Sequence, residues 1–364
     1  MEPAWSTLAS QSHRWMSIHL GMAGKLLFVE PCFRTIRGRL NSLKHVSISV
    51  HRNRYPADDD DVIELFNACP SLESVILDFD DIDIFAFPYD QIKSLTIRSG
   101  SNESTMELLR ECRNMEELFV GGLRTIGGNL FGGSFTSSKL RKLTVEAAVY
   151  TKTVHFEFPF SNYTVENLAS LTLADFKSEP GCWDKFEVPP VADFLTRSRC
   201  SITTLVIKWL PITDAQAVQL IQLMPALGSL YVGEYHHEGG HELDNSVVTK
   251  DFLDALSLTP KESTKELNTS PLASHLTELT LVVHGQDLDQ EALINMLVSR
   301  KSQDSLEAGD EVDGLRTVTI SFIGEIESSF MHRLQGSSLH DRTRPWVEIT
   351  RVSINTDPWR SLLL

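Results

Sequence analysis

Short apolar phrases recur along the chain with one internal spacing. In LESVIL (72–77) the apolar skeleton is Leu72, Val75 and Leu77, and in LRKLTV (140–145) it is Leu140, Leu143 and Val145. The same L-x-x-L-x-L pattern, one aliphatic residue standing for another, appears in LKHVSI (43–48), IKSLTI (92–97), MEELFV (115–120), LASLTL (168–173), ITTLVI (202–207), LGSLYV (227–232), LTELTL (276–281) and LRTVTI (315–320). A strand alternates its side chains between two faces, so the fourth and sixth residues share one face. The first residue turns into the same core from the preceding corner. The third and fifth residues, and the one after each copy, then point away from that core. Ahead of several copies, apolar residues fall three or four apart and predict a helix: Val62, Leu65 and Phe66 within 61–68, Val218, Ile221 and Leu223 within 215–224, and a further stretch over 293–298.

One strand with one helix cannot bury its apolar face alone, whereas stacked copies share an elongated core. The first anchors stand at 43, 72, 92, 115, 140, 168, 202, 227, 276 and 315, giving gaps of 20 to 34 residues up to position 227 and then 49 and 39. Most gaps lie near the roughly 20–29 residues of a leucine-rich repeat. The two long gaps place insertions near 235–270 and 300–313.

A helix followed by CPSLESVIL (69–77) resembles the leucine-rich repeats of F-box proteins, particularly the degenerate ones of mushroom-forming (basidiomycete) fungi. The resemblance implies an α/β fold: a right-handed solenoid curved like a horseshoe, a parallel sheet on its concave face and helices outside. WSTLASQSHRWMSIHL (5–20) is similar to the helix and first strand that link an F-box to the repeats, with Trp5, Leu8 and Trp15 packing on the first coil. Residues 1–40 are thus expected to form an N-terminal helical cap or linker, and 41–364 about ten irregular repeats. Cys69 and Cys112 stand three residues before their anchors and Cys200 two before Ile202, where such repeats keep a small buried thiol. The implied function is protein–protein interaction, as the substrate-recognition part of an F-box-type ubiquitin ligase, with the partner on the concave face. The four residues before Trp5 leave no room for the F-box itself. A ligase adaptor is therefore an expected partner only if that module lies outside this chain. The alternative is a free-standing repeat scaffold unrelated to ubiquitin.

Composition narrows the partners. The 364 residues carry a formal net charge of −16, which opposes binding to nucleic acid and to anionic membranes. Apolar residues at 41% and charged ones at 23% are ordinary for a globular protein with a sizeable core. The mildly apolar stretch 16–29 is interrupted by His19 and Lys25 and is too short to span a bilayer. The five cysteines form no C-x-x-C pair, so reduced thiols and a cytoplasmic or nuclear location are expected.

Several motifs suggest chemistry and fail on their setting. His237-Glu238-Gly239-Gly240-His241 matches the H-E-x-x-H string of zinc proteases. That chemistry needs both histidines one helical turn apart, and two adjacent glycines cost about 1 kcal/mol each in a helix. A metal-dependent hydrolase through His237, Glu238 and His241 is a distant third reading. The glycine pairs within 120–135 lack the Gly-Lys-Ser/Thr end of a phosphate loop. Asp58–Asp61 run into a predicted helix, where carboxylates cap free N–H groups. Asp78, Asp80, Asp81 and Asp83 lack the glycine and terminal glutamate of a calcium loop. No catalytic residue, metal or cofactor is expected. Binding is expected at the outward positions. Ser47, Thr96, Thr144, Thr172, Thr280 and Thr319 hold the fifth place of their copies, and the apolar exceptions are Ile76, Phe119, Val206 and Tyr231. Val206 and Tyr231 should be cross-strand neighbours, with Lys208, Trp209, Glu234 and Tyr235 just beyond the strand ends. With Phe119, these form the expected protein-binding set; the alternative is that the long insertion after Tyr235 folds back over the rings and makes them a local satellite core.

Overall fold

The computed structural model describes residues 2–22, 33, 35–50, 64–78, 85–99, 102–121, 135–147, 163–175, 186–210, 212–234, 246–258, 272–286, 288–301, 314–324, 329–330, 333 and 347–352. They fall into two compact units, one comprising Met1–Leu168 with Arg197–Arg199, the other Ala169–Thr196 with Cys200–Leu364.

The first unit opens with helix α1 (Glu2–Ser10) and strand β1 (Ser17–Met22), followed by β2 (His45–Val50), β3 (Ser74–Asp78), β4 (Ser94–Ser99), helix α2 (Asn102–Glu111), β5 (Glu117–Gly121), β6 (Phe135–Ser137), β7 (Lys142–Ala147) and β8 (Tyr163–Val165). Strands β1, β2, β3, β4, β5 and β7 pair in parallel in that order, and β6 pairs with β8 in a separate two-stranded ribbon. The second unit contains β9 (Ser170–Asp175), helix α3 (Val188–Ser198, up to Thr196), β10 (Thr204–Lys208), helix α4 (Asp214–Gln222), β11 (Ser229–Gly233), helix α5 (Lys250–Leu256), β12 (Glu278–His284), helix α6 (Gln290–Arg300), β13 (Thr317–Ile323) and β14 (Val347–Val352). Its six strands are parallel and adjacent in chain order. Parallel neighbours need a crossover, and in this unit helices α3 to α6 lie within those crossovers.

Each of the ten apolar phrases yields a strand that begins two residues after its anchor. All ten anchors, from Leu43 to Leu315, are buried. Inward strand residues align in rows, Val46, Val75, Leu95, Leu118 and Leu143 in the first unit and Leu171, Leu205, Leu230, Leu279 and Val318 in the second. Successive copies are also tied at their corners. The carbonyl of the second residue in one copy accepts the N–H groups of the second and third residues of the next: Lys44 takes those of Glu73 and Ser74, Thr203 those of Gly228 and Ser229, and Gly228 those of Thr277 and Glu278. The rung recurs from Met16 to Glu116 in one unit and from Ala169 to Thr277 in the other, at 2.7–3.1 Å. The backbone N–H groups at the turns into β2, β3, β4, β5, β7 and β10 to β13 are therefore satisfied by the neighbouring copy.

Helices complete the core. Met106, Leu108 and Leu109 of α2 are buried, as are Ala217, Leu220 and Ile221 of α4, Phe252, Leu253 and Leu256 of α5, and Leu293, Met296 and Leu297 of α6. Thr213 and Gln216 form a reciprocal capping box at α4, and Thr249 and Asp289 cap α5 and α6. Arg300, at the end of α6, is fully buried; its guanidinium donates to the carbonyls of Leu256, Ala273 and Leu272. It thereby ties the C-terminal end of α5 to the turn before β12. Burial pushes its pKa down to about 10, so the cation persists at neutral pH.

Cys69 and Cys112 are buried free thiols and Cys200 is half-buried. Burial pushes the Cys69 thiol up to about 11. Burial, then the charges of Glu111 and Asp90, push Cys112 up to about 12. At the N-terminus Trp5 meets Trp15 edge-on, with centroids 6.3 Å apart, and Phe33 at 5.4 Å. Leu8 is 51% exposed, so of the three expected cap residues it is the one left outside. The helix expected over 61–68 is a 3-10 turn, Glu64–Phe66, among its described residues, and Pro70 bars continuation beyond it. Among the described residues no helix is long and apolar enough to cross a membrane.

Candidate functional site

The strand periodicity that buries the inner rows sets a second family of rows on the opposite face. In the second unit Thr172, Val206, Tyr231, Thr280, Thr319 and Glu348 stand side by side on six consecutive strands. Flanking them, Ser170, Thr204, Ser229, Glu278 and Thr317 form one row, and Ala174, Lys208, Gly233, Val282, Ser321 and Thr350 another. Val206 and Tyr231 are direct cross-strand partners, one strand spacing apart, about 4.8 Å. In the first unit the corresponding row is His19, Ser47, Ile76, Thr96, Phe119 and Thr144. There the His19 ring Nδ1 lies 2.9 Å from the Ser47 hydroxyl.

Two aromatic residues interrupt these hydroxyl rows, and both lie over a glycine. A Cβ at Gly233 would come 2.9 Å from Cε1 and 3.1 Å from Oη of Tyr231. A Cβ at Gly121 would come 2.9 Å from Cε1 of Phe119. Each ring is therefore seated in space that any other residue would fill. Tyr231 is half-buried, with its hydroxyl oxygen fully buried. Burial drives its hydroxyl pKa upward, and it stays neutral.

Beyond the end of β10 the backbone turns sharply. Trp209 takes φ +58, a conformation that bulky residues rarely adopt, and its N–H donates to the Gly233 carbonyl at 2.8 Å. That bond fastens the backbone at Trp209 to the end of the strand carrying Tyr231. The Lys208 ammonium lies 4.0 Å from the Trp209 ring centroid, a cation–π contact. Lys208 and Trp209 are both half-buried.

Glu234 has a different place from the one expected of a rim charge. It is buried, at 6% exposure, and its carboxylate accepts from the Ser246 hydroxyl (2.7 Å), the Val248 N–H (2.9 Å) and the His284 N–H (3.1 Å). It fastens the segment leading into α5 to the ends of β11 and β12. Tyr235 lies outside the described residues, as do His237, Glu238 and His241, the glycine pairs of 122–134, Asp58–Asp61, and Asp80, Asp81 and Asp83. Phe119 belongs to the first unit and Val206, Lys208, Trp209 and Tyr231 to the second.

Sequence reasoning passed over Gly233, Glu117 and Glu278, and read Gly121 only as one of the glycine pairs of 120–135. Their signal is present in ELFVGG (117–122) and SLYVGE (229–234), where an aromatic fifth residue is followed two places on by glycine. Glu117 and Glu278 occupy the outward third positions of their copies and are exposed. Comparison with protein-family models and with characterised protein sequences yields no match to this chain.

Proposed function

We propose that the chain is a leucine-rich-repeat solenoid, right-handed and curved with its parallel sheet on the concave side, that binds a protein on that sheet face. In this reading it acts by recognition rather than catalysis, in the cytoplasm or nucleus. It serves as the substrate-recognition part of an F-box-type ubiquitin ligase. The observation that carries the reading is the outward face of the second unit. A hydroxyl-lined surface with the apolar pair Val206 and Tyr231 at its middle, and Trp209 at its margin, has the make-up of a protein-binding patch. The assignment to a ubiquitin ligase rests on the resemblance of the repeat phrases and on nothing in the site.

Affinity capture of the tagged full chain from its own cells, read by mass spectrometry, tests both levels. Recovery of a second protein that is lost in Val206→Arg is the expected result, with a ligase adaptor beside it only if an F-box lies outside this chain. Recovery of a Val206-dependent protein with no adaptor favours the free-standing scaffold. A captured set unchanged by Val206→Arg overturns the sheet face as the binding surface.

A further inference from the structure

Strand β1 is the open end of the first unit's sheet. Among the described residues it pairs with β2 alone. The Met16 carbonyl accepts the N–H groups of Lys44 and His45, so residues 16, 18, 20 and 22 aim their backbone groups at β2. Ser17, His19 and Gly21 then aim theirs the other way, along an edge where all three residues are exposed. The inner rows thin out at the same place. Val46 and Ile48 are at most 1% exposed, whereas their partners on β1 are less covered: Ile18 reaches 9% and Leu20 is half-buried. A cavity of about 300 Å³ lies along this edge. Its lining takes in the consecutive residues Ser17–Leu20, the rings of Trp5 and Trp15, Leu8 and the buried Phe66. Four large apolar side chains are exposed among the described residues, and two of them stand here, Leu8 in the cavity wall and Met16 just before β1. All of these residues belong to the first unit.

An apolar cleft alone fixes no occupant, but the backbone edge beside it does. Three residues that present their N–H and C=O groups at strand spacing are matched by another extended chain, whose side chains alternate as those of β1 do. We infer that the β1 edge takes an extended segment of a partner protein as an added strand. The segment reads apolar-x-apolar. Its inward side chains continue the rows of Ile18 and Leu20 into the cavity, and the residue between them points outward beside His19. Main-chain bonds to Ser17, His19 and Gly21 supply affinity, and the cavity selects the side chains. This surface is separate from the outward face of the second unit and does not rest on the function proposed for that face.

The test selects a phage-displayed library of random twelve-residue peptides on the immobilised full chain, then measures the enriched peptides by fluorescence anisotropy. They should share two apolar residues separated by one. His19→Pro removes an N–H that points away from β2, and its ring bars the close approach of a neighbouring strand. It should weaken binding roughly 10-fold or more, whereas His19→Ala keeps the N–H and should stay within about 3-fold. Leu8→Glu, at a side chain already half in solvent, should weaken binding roughly 3- to 10-fold. Circular dichroism and melting curves check that each variant folds. If His19→Pro does not, N-methylation of an enriched peptide at alternate residues still decides, since one set should abolish binding and the other leave it. A library that yields no enriched peptide overturns the inference, as does equal binding by wild type and His19→Pro or by the two N-methylated sets. So does a chain that sediments as a dimer and becomes monomeric in His19→Pro, because the edge then takes a second copy. Peptide binding should survive Val206→Arg; its loss there overturns the inference and places the peptide on the second unit's sheet face.

Discussion

Replacing Glu234 by alanine separates a contact residue from a structural one. In the folded chain its carboxylate is the acceptor for the Val248 and His284 N–H groups and the Ser246 hydroxyl. A buried donor left without a partner costs about 1–3 kcal/mol. Ser246 is half-buried and can turn to water, so the two backbone donors carry about 2–6 kcal/mol between them. Removing the buried carboxylate returns part of this, since its own desolvation is unfavourable by several kcal/mol before its hydrogen bonds offset it. The net destabilisation is about 2–3 kcal/mol. For a folding unit of 150–250 residues each kcal/mol lowers Tm by about 2–4 °C, so calorimetry should show a fall of roughly 4–12 °C. Glu234→Gln keeps one carbonyl acceptor and should lose about half as much. Partner binding, measured well below the lowered Tm, should be nearly unchanged. A Tm within a degree of wild type, together with lost binding, would refute the structural assignment and return Glu234 to the binding surface.

Three further perturbations probe the frame. Leu205→Asp puts a carboxylate into a position with no solvent exposure and no partner, and should abolish the cooperative unfolding transition of the second unit in urea; an intact transition means that β10 is misregistered. Arg300→Met strips three carbonyls of their donor while relieving a buried charge, and should cost about 2–4 kcal/mol in urea unfolding, whereas a neutral or stabilising result means that the guanidinium is dispensable. The Cys112 thiol, raised from 9.0 to about 12, holds its proton more tightly in the folded state, so the stability it contributes is whole below pH 9 and is lost as pH rises toward 12. In Cys112→Ala the fall of stability between pH 9 and 11 should therefore be shallower than in wild type, and an unchanged slope would show that the thiol does not titrate as its burial implies.

The strands were legible because two signals coincide in them. Period-two alternation gives the strand, and a leading anchor such as Leu168 or Leu227 marks where the chain enters the core. Strand β14 lacks that anchor and shows only the alternation of Val347 and Ile349, so nothing distinguished it from a loop with two apolar residues. The region 235–270 looked like insertion because its polar stretches dominate. Yet Thr249 caps α5, whose Phe252, Leu253 and Leu256 face the core beside α4 and α6. Glu234 misled because a charge just beyond a strand is usually solvated. Its partners come from 12, 14 and 50 residues further along, beyond the reach of a local pattern. The neighbouring of Val206 and Tyr231 was legible because parallel register aligns equal positions of adjacent copies. The seating of Tyr231 on Gly233 was not, since it depends on which way the ring leans along its strand.

The central claim is that the outward sheet face of the second unit is where a protein binds. Site-specific photocrosslinking in cells tests it most directly, with benzophenone-bearing residues placed singly at Val206, at Thr280 and, on the exposed helical side, at Val298, which is 47% exposed. The expected result is a discrete crosslinked protein from positions 206 and 280 and none from 298. Crosslinks from 298 with none from 206 or 280 would contradict the claim and move the binding surface to the helices.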